Sequence, residues 1–386
     1  MQTKRFRWHL LLEILAGLWM LFSITYNLLI VGSALDELGD FGSFIAAGIE
    51  YRNGNNPYGT SSPLIFEAHF PKFNVGGKLP NLNPPASLLI FQLLPAENNL
   101  FYANLWRAIS LMVYALSALL LAVHFKPAPL GVLWMFSLAG LWHTIGLGQI
   151  YTPLLLVLVL AWISIARGRD LLAGVFLGLL ACIKPNFLLL IGILIFLRDW
   201  KAIAASTLVF VATSLVPLAF MPWTIYLQWL EASQVGFEIL AMPGNSSLTG
   251  LTSRLGLPWL GMVLGIFLSI ITIWIISFAK TRKVILRETI ISAGIVLSLL
   301  LSPISWVGYS LFATPIVLSH VEQKPILWIS AAMLTVPFNF IMHMYYNNGV
   351  IGFVAWGWWY GLALGICMVV LLSARRSLAD PNSSVP

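Results

Sequence analysis

"WHLLLEILAGLWMLFSITYNLLIVG", residues 8–32, carries a single acidic residue, Glu13, in an otherwise apolar run. About 20 apolar residues cross the hydrocarbon of a bilayer, so this stretch reads as a transmembrane helix. It is too long for the apolar core of a signal peptide and has no small-residue cleavage site, so it reads as a retained first span. The rest of the chain repeats the pattern. Of 386 residues, 59% are hydrophobic and 9% charged, with a mean hydropathy of +0.89. A soluble domain carries about 25% charged residues. The expectation is an all-α polytopic membrane protein, one integral domain over 1–386, with the lipid bilayer as its permanent partner.

Charge and cysteine usage narrow the class. The net charge of +7 comes from basic clusters at span ends: "KRFR" before the first span, "RGR" (167–169), "RDWK" (198–201), "KTRKVILR" (280–287) and "ARR" (374–376). Such clusters mark cytoplasmic loops and do not point to nucleic acid. Placing them all inside predicts a multi-pass plasma-membrane protein with both termini cytoplasmic. Cys182 and Cys367 lie in separate spans, which favours neither a disulfide framework nor a thiolate metal site. Most of the Trp and Tyr residues fit interfacial belts.

Working outward from 8–32, thirteen apolar segments can be traced. Two inside termini require an even number of crossings, so at least one segment does not cross. The strongest candidate is 84–97, opened by Pro84-Pro85 and broken at Pro95; it reads as re-entrant. The pair 171–184 and 186–198 is short, with Pro185 between. This leaves about 12 transmembrane helices plus short segments. Irregular backbone at membrane depth is tolerated where it lines a protein cavity, so the broken segments point to a cavity.

Three stretches remain outside: 33–83, 221–257 and "HMYYNNG" (343–349). A first outer loop this long exceeds ordinary connections and reads as functional. Within it Phe41, Ile45 and Ile49 recur at helical spacing before "NGNNPYG", which predicts an amphipathic helix on the membrane surface. Asp36, Glu37 and Asp40 cluster at its start although the chain has only 14 acidic residues. Asp40 has two readings: an N-cap accepting from first-turn amides, or a general base at the membrane boundary. Asp36 and Glu37 read as a solvated face.

Other polar residues raise similar choices. Lys184, in "LLACIKPNFLLL", either snorkels to the outer interface or binds an anion such as a phosphate. Arg254, after "GNSSLTGLTS", is either a surface residue or a phosphate or carboxylate partner. His143 and Gln149 fall at a span end in "LWHTIGLGQI". No Walker, GxGxxG, HExxH or GxSxG pattern is present, and no His lies at ligand spacing from another His or Cys. Neither a cofactor nor a metal is expected.

Six elements occur in order. They are Asp40-Phe41 with "NPYG" (56–59), "NPP" (83–85), "GLGQ" (146–149), Ala173-Gly174 followed by Lys184-Pro185, "GNSSLTGLTSR" (244–254) and "SPISW" (302–306). Together, over roughly 40–310, the chain resembles the family 87 glycosyltransferases, membrane enzymes of mannosyltransferase type in the GT-C superfamily. The resemblance implies a GT-C-type fold and transfer of a hexose, mannose foremost, from a polyprenyl-phosphate-linked sugar donor. The acceptor is a glycan or glycolipid hydroxyl and the site faces outside. It also implies inversion with Asp40 as base, and Lys184, Arg254, Gln149, Tyr58, Asn245, Ser246 and Trp306 as binding residues. Some members carry a His shortly after "SPxSW"; here Gly308 and Tyr309 stand there. The competing class is a transporter or lipid flippase, which would show internal repeats; none is visible in the sequence.

Overall fold

The computed structural model describes residues 2–59, 81–94, 97–234, 237–281 and 287–373. The remainder of the first outer loop, most of the basic run 280–287 and the C-terminal "ARR" lie outside the described residues. The described chain is helical, without strands. Its principal helices are α1 (Gln2–Ser33), α2 (Gly39–Arg52), α3 (Asn99–Phe125), α4 (Pro129–Ser137), α5 (Ala139–Leu147), α6 (Tyr151–Ala166), α7 (Asp170–Ile183) and α8 (Leu188–Leu197). They continue with α9 (Trp200–Leu215), α10 (Thr224–Ala232), α11 (Leu248–Arg254), α12 (Pro258–Thr281), α13 (Arg287–Leu301), α14 (Leu327–Leu334), α15 (Phe338–Asn347) and α16 (Trp359–Leu372).

The helices fall into two kinds. Among the described residues five stretches are long and apolar enough to span a bilayer, or six if the bent pair α14–α15 counts as one. Helices α1, α3, α9 and α12 are the sparsely buried ones, with Leu, Ile, Val and Phe facing outward. Outward apolar side chains are stable only against lipid. The inner helices are shorter. α6, α7 and α16 have 14–16 residues, about 21–24 Å of helix. α13 is the central strut: every residue from Thr289 to Leu300 is buried, the mark of a helix apolar on all sides. The sequence reading of about 12 spans thus becomes a lipid-facing rim of long helices around shorter, proline-broken ones.

Residues 84–94 form a 3-10 turn, Pro85–Ser87, and one helical turn, Leu88–Phe91, too short to cross, in line with the reading of 84–97 as a segment that does not span. Two expectations change. The second outer stretch, 221–257, is largely helical, with α10, Phe237–Ala241 and α11. "HMYYN" (343–347) is the last part of α15 rather than a loop.

One end of the inner bundle is defined by charge. Arg287, opening α13, pairs with Asp170 at the start of α7, 2.8 Å away, and with Asp199 just ahead of α9. The loops 167–169 and 198–201 therefore share this end with Arg287, as alternating spans require. Lys184 closes α7, and Ser302 follows α13, at the other end. A hydrophobic cluster running from Met20 to Leu371 fills the space between.

Candidate active site

At the end away from Arg287 lies a cavity of about 300 Å³, lined by Asp40, Gln149, Tyr151, Lys184, Trp306 and Tyr309 among others. That volume is at the lower edge of small-ligand pockets.

Each of these wall side chains arrives by a local rule. Lys184 ends α7 because Pro185 follows. A residue before proline is pushed out of the helical region, and Lys184 sits at φ −133°, ψ 89°. Pro185 then opens a 3-10 turn leading into α8. Its ammonium lies 5.2 Å from the Tyr151 ring centroid and 5.5 Å from that of Tyr309. Among the described residues it has no hydrogen-bond acceptor. Two aromatic faces hold the cation, and its N–H donors are left for a ligand.

Asp40 and Gln149 meet through two glycines. Gly39 opens α2 at φ +56°, and a Cβ there would lie 2.7 Å from the Leu147 carbonyl oxygen. Gly148 ends α5 at φ +67°, and a Cβ there would lie 2.8 Å from Phe41 Cβ. Only glycine takes these left-handed conformations without strain and with backbone this close. The amide of Gln149 then donates 2.5 Å to the Asp40 carboxylate.

Asp40 does not cap its helix. Leu38 is the N-cap residue, without a side-chain cap bond, and Asp40 lies within the first turn. A carboxylate there still gains from the helix dipole. Asp40 lies outside the spans, open to the cavity and otherwise enclosed by protein. Burial raises its carboxyl to about 6, against the opposing pull of the Gln149 donor and the Lys184 charge.

The helix carrying Asp40 is not a surface helix. Residues 39–48 other than Asp40 are buried. Phe41 and Phe44 pack on Phe91, with centroids 5.8 and 4.7 Å away, and Phe41 stacks on Trp106 at 5.8 Å. The small residues Gly42, Ala46 and Ala47 allow neighbours to close in on the remaining faces.

The structure separates the other expected site residues. Trp306 lines the cavity. Tyr58, Arg254, Asn245 and Ser246 do not. Tyr58 is buried and its hydroxyl donates 3.1 Å to the carbonyl of Asn83, a cavity-wall residue. Asn245 donates to the Pro303 carbonyl at 3.2 Å and accepts from the Ser305 amide at 2.9 Å; the Ser246 amide donates 2.7 Å to the Ser305 carbonyl. Arg254 is turned inward, donating 2.8 Å to the Met242 carbonyl and 3.0 Å to that of Asn245. The "GNSSLTGLTSR" stretch is therefore a brace that holds "SPISW" against the cavity. Its residues were expected as ligands because backbone partners leave no trace in a sequence.

Tyr151 is the wall residue the sequence reading missed. Its one signal was its place, two residues after Gln149 at the start of an apolar run. Among the described residues no group of three or more His, Cys, Asp or Glu is arranged to hold a metal ion.

Residues 81–303 match the model of glycosyltransferase family 87. This is more than half of the chain. The protein belongs to glycosyltransferase family 87. It is accordingly a membrane glycosyltransferase, working on a sugar donor and an acceptor within the bilayer. Gln149, Tyr151 and Lys184 lie inside the matched region; Asp40, Trp306 and Tyr309 lie outside it, and their part in the site rests on geometry. No curated protein matches the chain.

Proposed function

We propose that the protein moves a hexose, mannose foremost, from a polyprenyl-phosphate sugar to an acceptor hydroxyl in one inverting displacement. The observation that carries this reading is that Asp40 and Lys184 face one cavity in a bundle whose outer helices face lipid. A polyprenyl-phosphate donor is anchored in lipid, so its anomeric carbon arrives at the membrane boundary. The Asp40 carboxylate takes the proton of the acceptor hydroxyl as that oxygen bonds to the anomeric carbon. The bond from that carbon to the phosphate oxygen breaks, and polyprenyl phosphate departs with the bonding electrons. Charge grows on the departing phosphate, where a fixed cation with free donors is worth most. Lys184 is that cation. Inversion needs the base on one face of the sugar and the leaving group on the other, with no covalent intermediate.

Supporting the choice of base, a carboxyl held near 6 is ionised at neutral pH yet more basic than an ordinary carboxylate, which suits general-base work. The cavity faces the outside of the plasma membrane in this reading, with both termini in the cytoplasm, because the clusters near Arg167 and Arg198 share the Arg287 end. Trp306 and Gln149 complete the donor-side wall. The acceptor is a glycan or glycolipid.

The test is a panel of radiolabelled polyprenyl-phosphate sugars given to membranes containing the protein. Transfer from one of them, lost by about 10²–10⁴-fold in Asp40→Asn, is the expected result. Wild-type rates in a well-inserted Asp40→Asn protein would remove Asp40 as base. Transfer from nucleotide sugars alone would remove the lipid donor.

A further inference from the structure

We infer that Arg107 is a positioning residue for transfer, clamping the connector that carries Asp40 to the turn that carries Gln149. The inference rests on the reading of Asp40 as the base. Arg107 lies in α3, is 3% exposed, and does not line the cavity. One guanidinium nitrogen donates 2.6 Å to the carbonyl of Glu37 and 2.9 Å to that of Gly146. Nε donates to the same Gly146 carbonyl at 3.2 Å, and the remaining nitrogen donates 2.6 Å to Asn104 Oδ1.

The two clamped carbonyls are placed alike. Glu37 is three residues before Asp40, and Gly146 is three residues before Gln149. Beyond the clamp the two segments meet again in the 2.5 Å bond from Gln149 to the Asp40 carboxylate. Between these two contacts lie the tight packings of Gly39 on Leu147 and of Gly148 on Phe41. A guanidinium is a rigid planar fork whose donors keep fixed angles. It sets the spacing of the two segments in a way that a flexible ammonium does not. Asn104, by donating 3.1 Å to the Leu35 carbonyl, ties α3 to the same connector. Arg107 grips both segments on the side away from the carboxylate, so the aim of the Asp40 carboxylate depends on this clamp.

The experiment measures kcat and donor KM in purified enzyme for five proteins: wild type, Arg107→Lys, Gln149→Leu, the double variant and Asp40→Asn. The donor is radiolabelled polyprenyl-phosphate mannose, or the panel sugar that wild type transfers; a lipid extract of the host membrane supplies the acceptor. A small misplacement of a reacting group costs up to about 10²-fold. Arg107→Lys keeps the buried charge and is expected to lower kcat by about 10- to 100-fold, with donor KM within about two-fold of wild type. Because Arg107 acts through the Asp40–Gln149 pair, the double variant should fall no further than the worse single variant.

Wild-type kcat in Arg107→Lys, or losses that multiply in the double variant, would overturn the inference. An active Asp40→Asn protein would instead sink the base reading, so the two failures are distinguishable. If Arg107→Lys does not accumulate, Asn104→Ala replaces it, since it frees the guanidinium on its outer side. Lower kcat at unchanged donor KM then supports the clamp, and wild-type kcat overturns it.

Discussion

Lys184 and Arg254 are both basic residues beside apolar runs in the half of the chain that the family match covers, and the fold uses them in opposite ways. Lys184 ends a helix at a proline break. It rests on two tyrosine rings and keeps its N–H donors for the cavity. Arg254 ends a short helix and spends both terminal guanidinium nitrogens on the carbonyls of residues 241, 242 and 245, with only its buried Nε left without a partner among the described residues. The difference is one of unmet capacity. A cation whose donors are used by the backbone holds structure. A cation held by ring faces alone can still bind an anion.

The largest effect should come from exchanging those capacities. Lys184→Met is expected to lower kcat/KM by about 10²–10³-fold, the range for removing one preorganised donor from developing charge, with the thermal midpoint unchanged or raised. Arg254→Met should do the reverse. It strands buried carbonyls, each costing roughly 1–3 kcal/mol, so the thermal midpoint drops while the surviving fraction keeps a wild-type donor KM. Equal losses of activity at equal stability in both variants would break the comparison.

A smaller, sharper effect lies in pH. In the proposed reaction Asp40 must be ionised to act as base, and its carboxyl is raised to about 6. Activity is therefore present above that pH and lost as pH falls through it. An ordinary Asp would hold its activity to about 4. Lys184 pulls the Asp40 carboxyl down, so Lys184→Met should move the acid limb of kcat/KM to higher pH. Arg254→Met, which removes one positive charge outside the cavity, should leave the limb in place. A limb that moves equally in both would show that Asp40 responds to overall charge and not to a neighbour.

The two cations also show what the sequence could tell. The break at Lys184-Pro185 was legible because proline acts on its neighbour through covalent geometry alone. The rim of spans was legible because lipid admits one kind of residue. Gln149 was picked out as a site residue from "GLGQ", but the reason, two glycines in left-handed conformations, needs the partner backbone to be seen. The burial of α2 was hidden. Phe41, Ile45 and Ile49 made one apolar stripe, and the small residues opposite looked neutral, though their smallness is what lets neighbours enclose the helix. Arg107 and Arg254 were illegible as clamps for a common reason: their partners are carbonyls, which every residue possesses.

The smallest expected effect decides what Tyr309 does in the place where some family members carry His. Its ring lies 5.5 Å from Lys184 Nζ and 4.6 Å from the Tyr151 ring, which is the geometry of a platform. Platform and proton donor respond differently to one oxygen atom. A phenyl ring still presents a negative face to an ammonium, so Tyr309→Phe should change kcat/KM by no more than about three-fold. Tyr309→Leu removes one of two faces holding Lys184. At about 0.5–2 kcal/mol for such a contact it should raise donor KM by roughly 2- to 30-fold, with kcat less affected. If the hydroxyl instead moved a proton in the reaction, Tyr309→Phe alone would cost about 10²-fold or more. That outcome would make Tyr309 a reacting group and leave Lys184 with one platform ring, narrowing its contrast with Arg254 to a difference in hydrogen bonding.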